Sequence, residues 1–155
     1  MAKRYWLMKS DPDTYGWDDL VAEKAGTTCW DGVRNYQARN MLRDDVQAGD
    51  GVLFYHSQTD KAVLGTARVV RSGYPDPTQF KKGTKGHDPA STRAEPRWYA
   101  VDIKKEYSFR SPVTLIRMKE IPGLGDMGLL RRGNRLSVMP VTAAEWKLVV
   151  KLGLG

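Results

Sequence analysis

The amino-acid sequence predicts an α+β fold, in which a small, curled mixed sheet or barrel carries short helices at its periphery. Short β-rich segments alternate with short helical ones, and this order disfavours a doubly wound α/β fold. The composition, 41% hydrophobic and 28% charged, is close to that of soluble globular proteins. With 155 residues and no internal repeat, the chain is expected to form a single domain over residues 1–155.

The first half of the chain is predicted to contain four strands and two helices. Turn residues separate apolar or β-branched runs, which predict strands at Tyr5–Ser10, Thr27–Trp30, Gly51–His56 and 62–70. The last two strands are expected to form a hairpin. Apolar spacing predicts one helix over 17–24, stopped by Gly26, and Asn35 is expected to cap another helix that runs to residue 42.

The second half is predicted to begin with a long loop over 72–96, which holds four of the eight prolines. A strand is expected over 98–107, and Pro112 is expected to lie in the first turn of a short helix that continues through Leu115 and Ile116. A brief strand follows over 136–138. Thr142 and Glu145 match a capping box, which predicts a final helix that ends at Gly153.

The charge of the chain indicates an acidic partner. A net charge of +7 and a pI near 9.6 are typical of nucleic-acid-binding proteins, although Lys and Arg that only solvate the surface explain such values equally well. We see neither a membrane-length apolar run nor a signal peptide, which predicts an intracellular protein without a membrane partner. The single cysteine, Cys29, and two histidines lack metal-ligand spacing, so no metal or cofactor is expected.

The sequence favours binding over catalysis. The candidate nucleophiles Cys29, Ser10 and Ser57 and the candidate base His56 stand in no known catalytic spacing. Most tryptophans are best explained as core residues, since a buried indole contributes a large apolar area. Trp30 differs, because it precedes a predicted turn at Asp31, where an indole can also line a pocket. Core and pocket remain open for this residue.

Six segments stand out along the chain, in the order YWLMKSDP, CWDGVRNYQARNML, FYHSQ, YPDPTQF, PRWYAVDIK and RLSVMPVT. In this order they resemble the EVE-domain proteins of the thymocyte nuclear protein family, which belongs to the PUA-like superfamily, and the likeness extends over nearly the whole chain. Asp11 stands where the family is expected to have glutamate, a conservative difference. The resemblance implies a PUA-like mixed β barrel, related to domains that recognise methylated adenine in RNA, and a role in binding modified bases, chiefly modified cytosine in DNA.

The same resemblance implies a binding pocket built from aromatic, polar and basic residues. We expect Trp30 to stack on the base, Lys9 and several arginines to neutralise phosphates, and polar side chains to contact the base edge. Tyr55, His56 and Ser57 are expected at the pocket floor. The predicted ligand-binding residues are Lys9, Ser10, Trp30, Arg34, Asn35, Tyr36, Arg39, Tyr55, His56, Ser57, Trp98, Arg135 and Ser137, with Arg131 and Arg132 as further phosphate contacts.

The function that follows from this resemblance is non-catalytic binding of a modified nucleobase. The expected ligand is a modified cytosine, such as 5-methylcytosine, flipped out of DNA into an aromatic pocket. The alternatives are an RNA-binding PUA-like module, a hydrolase of modified nucleosides and a protein-interaction module with incidental charge. The protein is expected to be monomeric and cytoplasmic, or nuclear in a eukaryote.

Overall fold

The computed structural model describes residues 3–155, and their strands form one mixed six-stranded sheet. In chain order the strands are β1 (Tyr5–Ser10), β2 (Thr27–Trp30), β3 (Gly51–His56), β4 (Ala62–Pro75), β5 (Tyr99–Thr114) and β6 (Val138–Val141). Their order across the sheet is β2-β5-β4-β3-β1-β6. β1 and β3 are parallel, and the other neighbours are antiparallel. The α+β prediction is confirmed, as is the β3–β4 hairpin.

Within the described residues, four short α-helices accompany the sheet: α1 (Trp17–Ala22), α2 (Tyr36–Asn40), α3 (Leu115–Lys119) and α4 (Ala143–Leu154). Asn35 caps α2 as predicted, since its side chain accepts a hydrogen bond from the Ala38 amide at 2.9 Å. The predicted capping box of α4 is also present, with Thr142 and Glu145 bonded reciprocally. No helix within residues 3–155 has the length and apolar character needed to cross a bilayer.

The predicted ends of the first and the last helix were wrong. The first helix stops at Ala22, because Ala25 and Gly26 both adopt positive φ and turn the chain into β2. At the other end of the chain, Gly153 does not stop α4 but lies inside it. A Cβ at this position would collide with the Phe109 ring, so the glycine serves close packing rather than termination.

The structure also corrects the strand and loop boundaries. β4 and β5 pair far beyond their predicted ends, so the predicted loop over 72–96 begins after Pro75 and Pro112 lies in β5 rather than in a helix. The β4–β5 register is irregular around Pro112, so this residue does not have to donate a hydrogen bond to the neighbouring strand. α3 begins only at Leu115, where Thr114 caps it. The last strand starts at Val138, because the Asn134 side chain holds the Leu136 amide in a turn.

The predicted second helix is divided in the structure. α2 ends at Asn40, and a π-helical turn, Met41–Asp45, continues the chain. The turn buries Leu42 in the core and leads into β3.

The sheet curls strongly on itself. Trp30 of β2 and Phe54 of β3 pack edge to face with ring centroids 5.5 Å apart. Their strands are three places apart in the sheet order, and three strand spacings in a flat sheet amount to about 14 Å. Contact over 5.5 Å therefore requires the sheet to wrap around these rings, as in the predicted barrel-like arrangement.

Both faces of the sheet are covered by apolar residues. Strand alternation places Phe54 in the core inside the curl, which also contains Trp6, while Leu53 and Tyr55 point into a second core on the outer face. The outer core is closed by α3 and α4. Every residue of β3 is consequently buried, which makes this strand a rigid base for the elements that end beside it.

Candidate nucleic-acid interface

A cavity of about 450 Å³ opens where β1 and β2 end. Its walls come from the end of β1 and the loop after it, from β2 and the turn that follows, and from the residue before β6. The lining residues are Lys9, Ser10, Asp11, Thr14, Tyr15, Thr28, Cys29, Trp30, Asp31, Gly32, Val33 and Ser137. A pocket of this volume falls within the range of small-ligand sites.

Trp30 belongs to both the core and the cavity. Its side chain is only 7% exposed and packs on Phe54, yet it also lines the cavity wall. The indole is consequently held in one orientation by the core behind it. A ring fixed in this way can stack on a ligand with little loss of side-chain entropy.

Burial moves several titratable groups of the cavity toward their uncharged forms. Desolvation lowers the pKa of Lys9, and it raises the pKa of Cys29 to about 11. The Asp31 carboxyl group is also shifted toward its uncharged form, because desolvation and the nearby Asp76 charge raise its pKa. Partial desolvation of this kind penalises a charged ligand group more than an uncharged aromatic ring.

A buried carboxylate holds the rim of the cavity in place. Asp76 is fully buried and accepts hydrogen bonds from the Gly32 amide at 2.8 Å and from Arg34 Nη1 at 3.0 Å. Thr78 donates two more, from its amide and its hydroxyl. Burial alone would raise the pKa of Asp76, but these hydrogen bonds outweigh it and hold the pKa below its ordinary value.

The structure brings four of the thirteen predicted residues together at the cavity: Lys9, Ser10, Trp30 and Ser137. Ser137 is tied to the end of β1, because its carbonyl accepts a hydrogen bond from the Lys9 amide at 2.8 Å. The Ser10 hydroxyl donates to the Tyr15 carbonyl and so fixes the loop after β1. These bonds join the wall segments into one frame.

We expected Arg34 to contact phosphate, but its side chain is engaged inside the protein. Its terminal nitrogens donate to the Val33 carbonyl, the Asp76 carboxylate, the Thr78 hydroxyl and the Gly86 carbonyl. With these donors engaged inside the protein, the side chain clamps the loop after β4 against the cavity rim. Its geometry is that of a structural residue.

The residues expected at the pocket floor lie elsewhere. Tyr55 points to the outer core, since it follows Phe54 and strand alternation reverses its side chain. His56 is buried, its Nε2 accepts a hydrogen bond from the Trp17 amide at 3.0 Å, and its Nδ1 lies 3.0 Å from the Asp60 carboxylate. With both ring nitrogens engaged, His56 supports α1, and it does not line the cavity. The Ser57 amide donates a hydrogen bond to the Ser10 carbonyl and so helps to hold the end of β1.

The remaining predicted residues lie outside the cavity. Tyr36, 52% exposed, stacks on Trp98 with ring centroids 4.8 Å apart, and the Arg39 guanidinium lies 4.9 Å from the Tyr36 ring. Asn35 is used as the cap of α2, as its side-chain oxygen accepts from a helix amide. Arg135 is exposed, like Arg131 and Arg132, and is not part of the cavity wall.

Some lining residues were missed by sequence reasoning. Thr28 could have been found, because it is two residues before Trp30 and a strand places such residues on the same face. Tyr15 and Thr14 carried no comparable signal, since only the fold of the loop after β1 brings them to the cavity. Within residues 3–155, no group of three or more His, Cys, Asp or Glu is arranged to hold a metal ion.

A curled α+β sheet with a cavity between the ends of β1 and β2 places this protein in the PUA-like fold class. The chain belongs to the EVE-domain family, whose model matches residues 4–152. The resemblance of the six sequence segments is thereby confirmed. Family and fold agree over almost the entire chain.

Relatives and solved structures agree with this assignment. Human thymocyte nuclear protein 1 is 36% identical over 96% of this chain and 73% of its own length, and the zebrafish protein is 38% identical over 95% and 71%. A crystal structure of the human THYN1 protein in complex with 5-methylcytosine-containing DNA superposes with a TM-score of 0.91, at 35% identity, covering 97% of this chain and 98% of that one. A Pseudomonas putida protein gives a TM-score of 0.89 at 42% identity, covering 97% and 99%.

A more distant structure shares the fold alone. A point mutant of the ZmASCH protein from Zymomonas mobilis has a TM-score of 0.55 at 13% identity, covering 97% of this chain and 99% of that chain.

Proposed function

We propose that this protein is a DNA-binding domain that holds a modified cytosine, such as 5-methylcytosine, in the cavity beside Trp30, without converting it chemically. The observation that carries the proposal is the match, over 97% of the chain, to a human relative solved with 5-methylcytosine-containing DNA. The cavity supports it, because an aromatic wall and groups shifted toward neutrality suit a nucleobase. The net charge of +7 suits the surrounding phosphates.

The energetics explain why several contacts are needed. Flipping a base out of a duplex costs a few kcal/mol, and stacking on one aromatic ring returns about 1–3 kcal/mol. These two contributions roughly cancel. Net affinity then comes from phosphate neutralisation and from polar groups of the cavity, such as Thr28 and Asp31, that contact the base edge.

Selectivity for the methyl group depends on the fit of the cavity. A methyl group buried in an apolar notch contributes about 0.8 kcal/mol, which corresponds to roughly a fourfold preference. A larger preference requires the aromatic wall to exclude water from the methyl group. The packing of Trp30 on Phe54 provides such a wall, since the core behind the indole limits its movement.

The chemistry of the cavity supports binding without turnover. Cys29 is a wall residue with a thiol, but its pKa of about 11 keeps the thiol protonated at neutral pH, and the protonated form is a poor nucleophile. His56, the candidate base, has both ring nitrogens engaged by Trp17 and Asp60. A DNA partner places the protein where DNA is found, in the nucleus of a eukaryote or the cytoplasm of a bacterium.

Equilibrium binding to matched oligonucleotides tests the proposal. The panel contains DNA and RNA of one sequence, each with and without 5-methylcytosine, at a fixed salt concentration. We expect methylated DNA to bind more tightly than unmethylated DNA. Equal binding of the two would refute recognition of the modified base, and preference for the RNA series would replace DNA by RNA as the partner.

A separate assay addresses catalysis. The protein is incubated with 5-methylcytosine-containing oligonucleotide and with the free nucleoside, and the products are analysed by mass spectrometry. We expect both substrates to be recovered unchanged. Product formation that is lost in His56→Ala would show an enzyme instead of a binding domain.

A further inference from the structure

The segment from Lys81 to Arg97, which we call the basic loop, concentrates positive charge between β4 and β5. It holds five Lys or Arg residues against two Asp or Glu residues. The cationic residues are Lys81, Lys82, Lys85, Arg93 and Arg97, and all five are exposed. This segment has a higher density of positive charge than the chain as a whole, and none of its residues lines the cavity.

The basic loop is held at its base by a buried glutamine. The Gln79 side-chain amide donates to the carbonyls of Asp76 and Trp98, each at 2.8 Å, and its side-chain oxygen accepts from the amides of Arg97 and Trp98. The Gln79 carbonyl accepts from the Asp88 amide at 3.0 Å. Asp88 in turn accepts from the Trp98 indole at 2.7 Å. These bonds order a segment that its composition would leave flexible.

The same segment is fastened to the rim of the cavity. Arg34 Nη2 donates to the Gly86 carbonyl at 2.7 Å, while Arg34 Nη1 and the Gly32 amide both bond to Asp76. Lys81 is near enough to the rim for its charge to oppose the rise in the pKa of the Asp31 carboxyl group. The segment that carries Lys81, Lys82 and Lys85 is therefore fastened to the cavity rim, with Lys85 next to the bonded Gly86.

These lysines are not neutralised inside the protein. Throughout the described part of the chain, no carboxylate lies within 4.0 Å of Lys81, Lys82 or Lys85, whereas Arg34 and Arg68 each pair with one. An ordered, exposed and unpaired cluster of ammonium groups is suited to phosphate, because each contact releases condensed counterions from the nucleic acid.

We propose that the basic loop is the surface that contacts the DNA phosphates next to the flipped base, with Lys81, Lys82 and Lys85 as its principal contacts. This inference rests on the proposed function, since it takes DNA as the ligand of the neighbouring cavity. It also moves the phosphate contacts from Arg34, which is engaged inside the protein, to the loop that Arg34 holds in place.

The test compares two triple variants with the wild-type protein. One carries Lys81→Gln, Lys82→Gln and Lys85→Gln. The control carries Lys119→Gln, Lys147→Gln and Lys151→Gln, which removes the same charge from exposed positions on α3 and α4. Binding to methylated DNA, unmethylated DNA and RNA of the same sequence is measured over a range of salt concentrations, and melting temperatures verify folding.

For the loop variant we expect affinity for both DNAs to fall by about tenfold or more at low salt, with the slope of log K against log salt shallower by about 2 to 3. The preference for methylated DNA stays at the wild-type ratio, because the cavity is intact. The control is expected to keep the wild-type slope. A wild-type slope in the folded loop variant, or an equal loss in the control, would overturn the loop assignment.

If the proposed function is wrong, the binding data differ from those that would overturn the loop assignment alone. If wild-type protein binds methylated and unmethylated DNA equally, recognition of the base is lost, whatever the slope of the loop variant. If the loop variant loses affinity only for RNA, the basic loop contacts RNA and its assignment to DNA is wrong.

Discussion

Arg34 and Asp76, 42 residues apart in sequence, form an ion pair of 3.0 Å at the edge of the cavity, and the carboxylate side is completely buried. The pair joins the turn after β2 to the segment after β4. One face of this junction forms the cavity rim through Gly32, and the other anchors the basic loop through Gly86. The contact therefore connects the proposed base site to the proposed phosphate surface.

Replacing Arg34 with alanine is expected to reduce stability strongly. The change leaves the Asp76 charge buried without its cationic partner, and breaking a buried pair in this way costs about 3 kcal/mol or more. Denaturant unfolding measures the difference. Arg68→Ala is the matched control, because its pair with Glu106 spans 3.7 Å and is partly exposed, which predicts a loss of about 1 kcal/mol or less. Equal losses in the two variants would contradict the structural role of Arg34.

The Asp76 carboxylate predicts a loss of stability in acid. Its pKa is lower in the folded protein than the ordinary value of about 3.9. Its stabilising contribution is thus complete above the unfolded-state pKa and disappears as the pH falls through the folded-state pKa. Between about pH 6 and pH 3, the melting temperature of the wild type should fall further than that of Asp76→Asn. Parallel declines in the two proteins would assign the acid sensitivity to other carboxylates.

Trp30 is expected to contribute to both stability and binding. Trp30→Ala removes a core ring, which typically costs about 3–5 kcal/mol, and also removes the stacking wall, which is worth about 1–3 kcal/mol of binding. Thermal melting and oligonucleotide binding separate the two effects. Trp30→Phe keeps an aromatic ring against Phe54 and should retain most of both. Unchanged binding by a folded Trp30→Ala protein would exclude the indole from the base site.

Cys29 should react slowly with alkylating reagents in the folded protein. Its pKa of about 11 leaves roughly a hundredfold less thiolate at pH 8 than an ordinary cysteine, and the thiolate is the reactive form. Labelling with iodoacetamide followed by mass spectrometry gives the rate, and denatured protein is the reference. Because Cys29 lines the cavity, methylated DNA should slow the labelling further. Equal rates in folded and denatured protein would contradict the burial of the thiol.

Local patterns in the sequence were sufficient to predict where several strands and helices begin or end. β1, β2 and β3 match their predicted ends, and the caps provided by Asn35 and Thr142 are present. These features depend on residues close in sequence, such as a side-chain oxygen and an amide three positions later. Errors arose at Pro112 and Gly153, where the pairing of β4 with β5 and the position of Phe109 decide the outcome. Such contacts join distant parts of the chain.

The sequence by itself determined the α+β class, the family and the basic charge, since these depend on patterning, motif order and composition. Only the tertiary structure decided which predicted residues share a cavity. Lys9, Trp30 and Ser137 come from three separate segments, and the curl of the sheet brings them together. Arg34 remained a plausible phosphate contact until its partner Asp76 was located, because the use of a side chain depends on what the fold places within hydrogen-bonding distance.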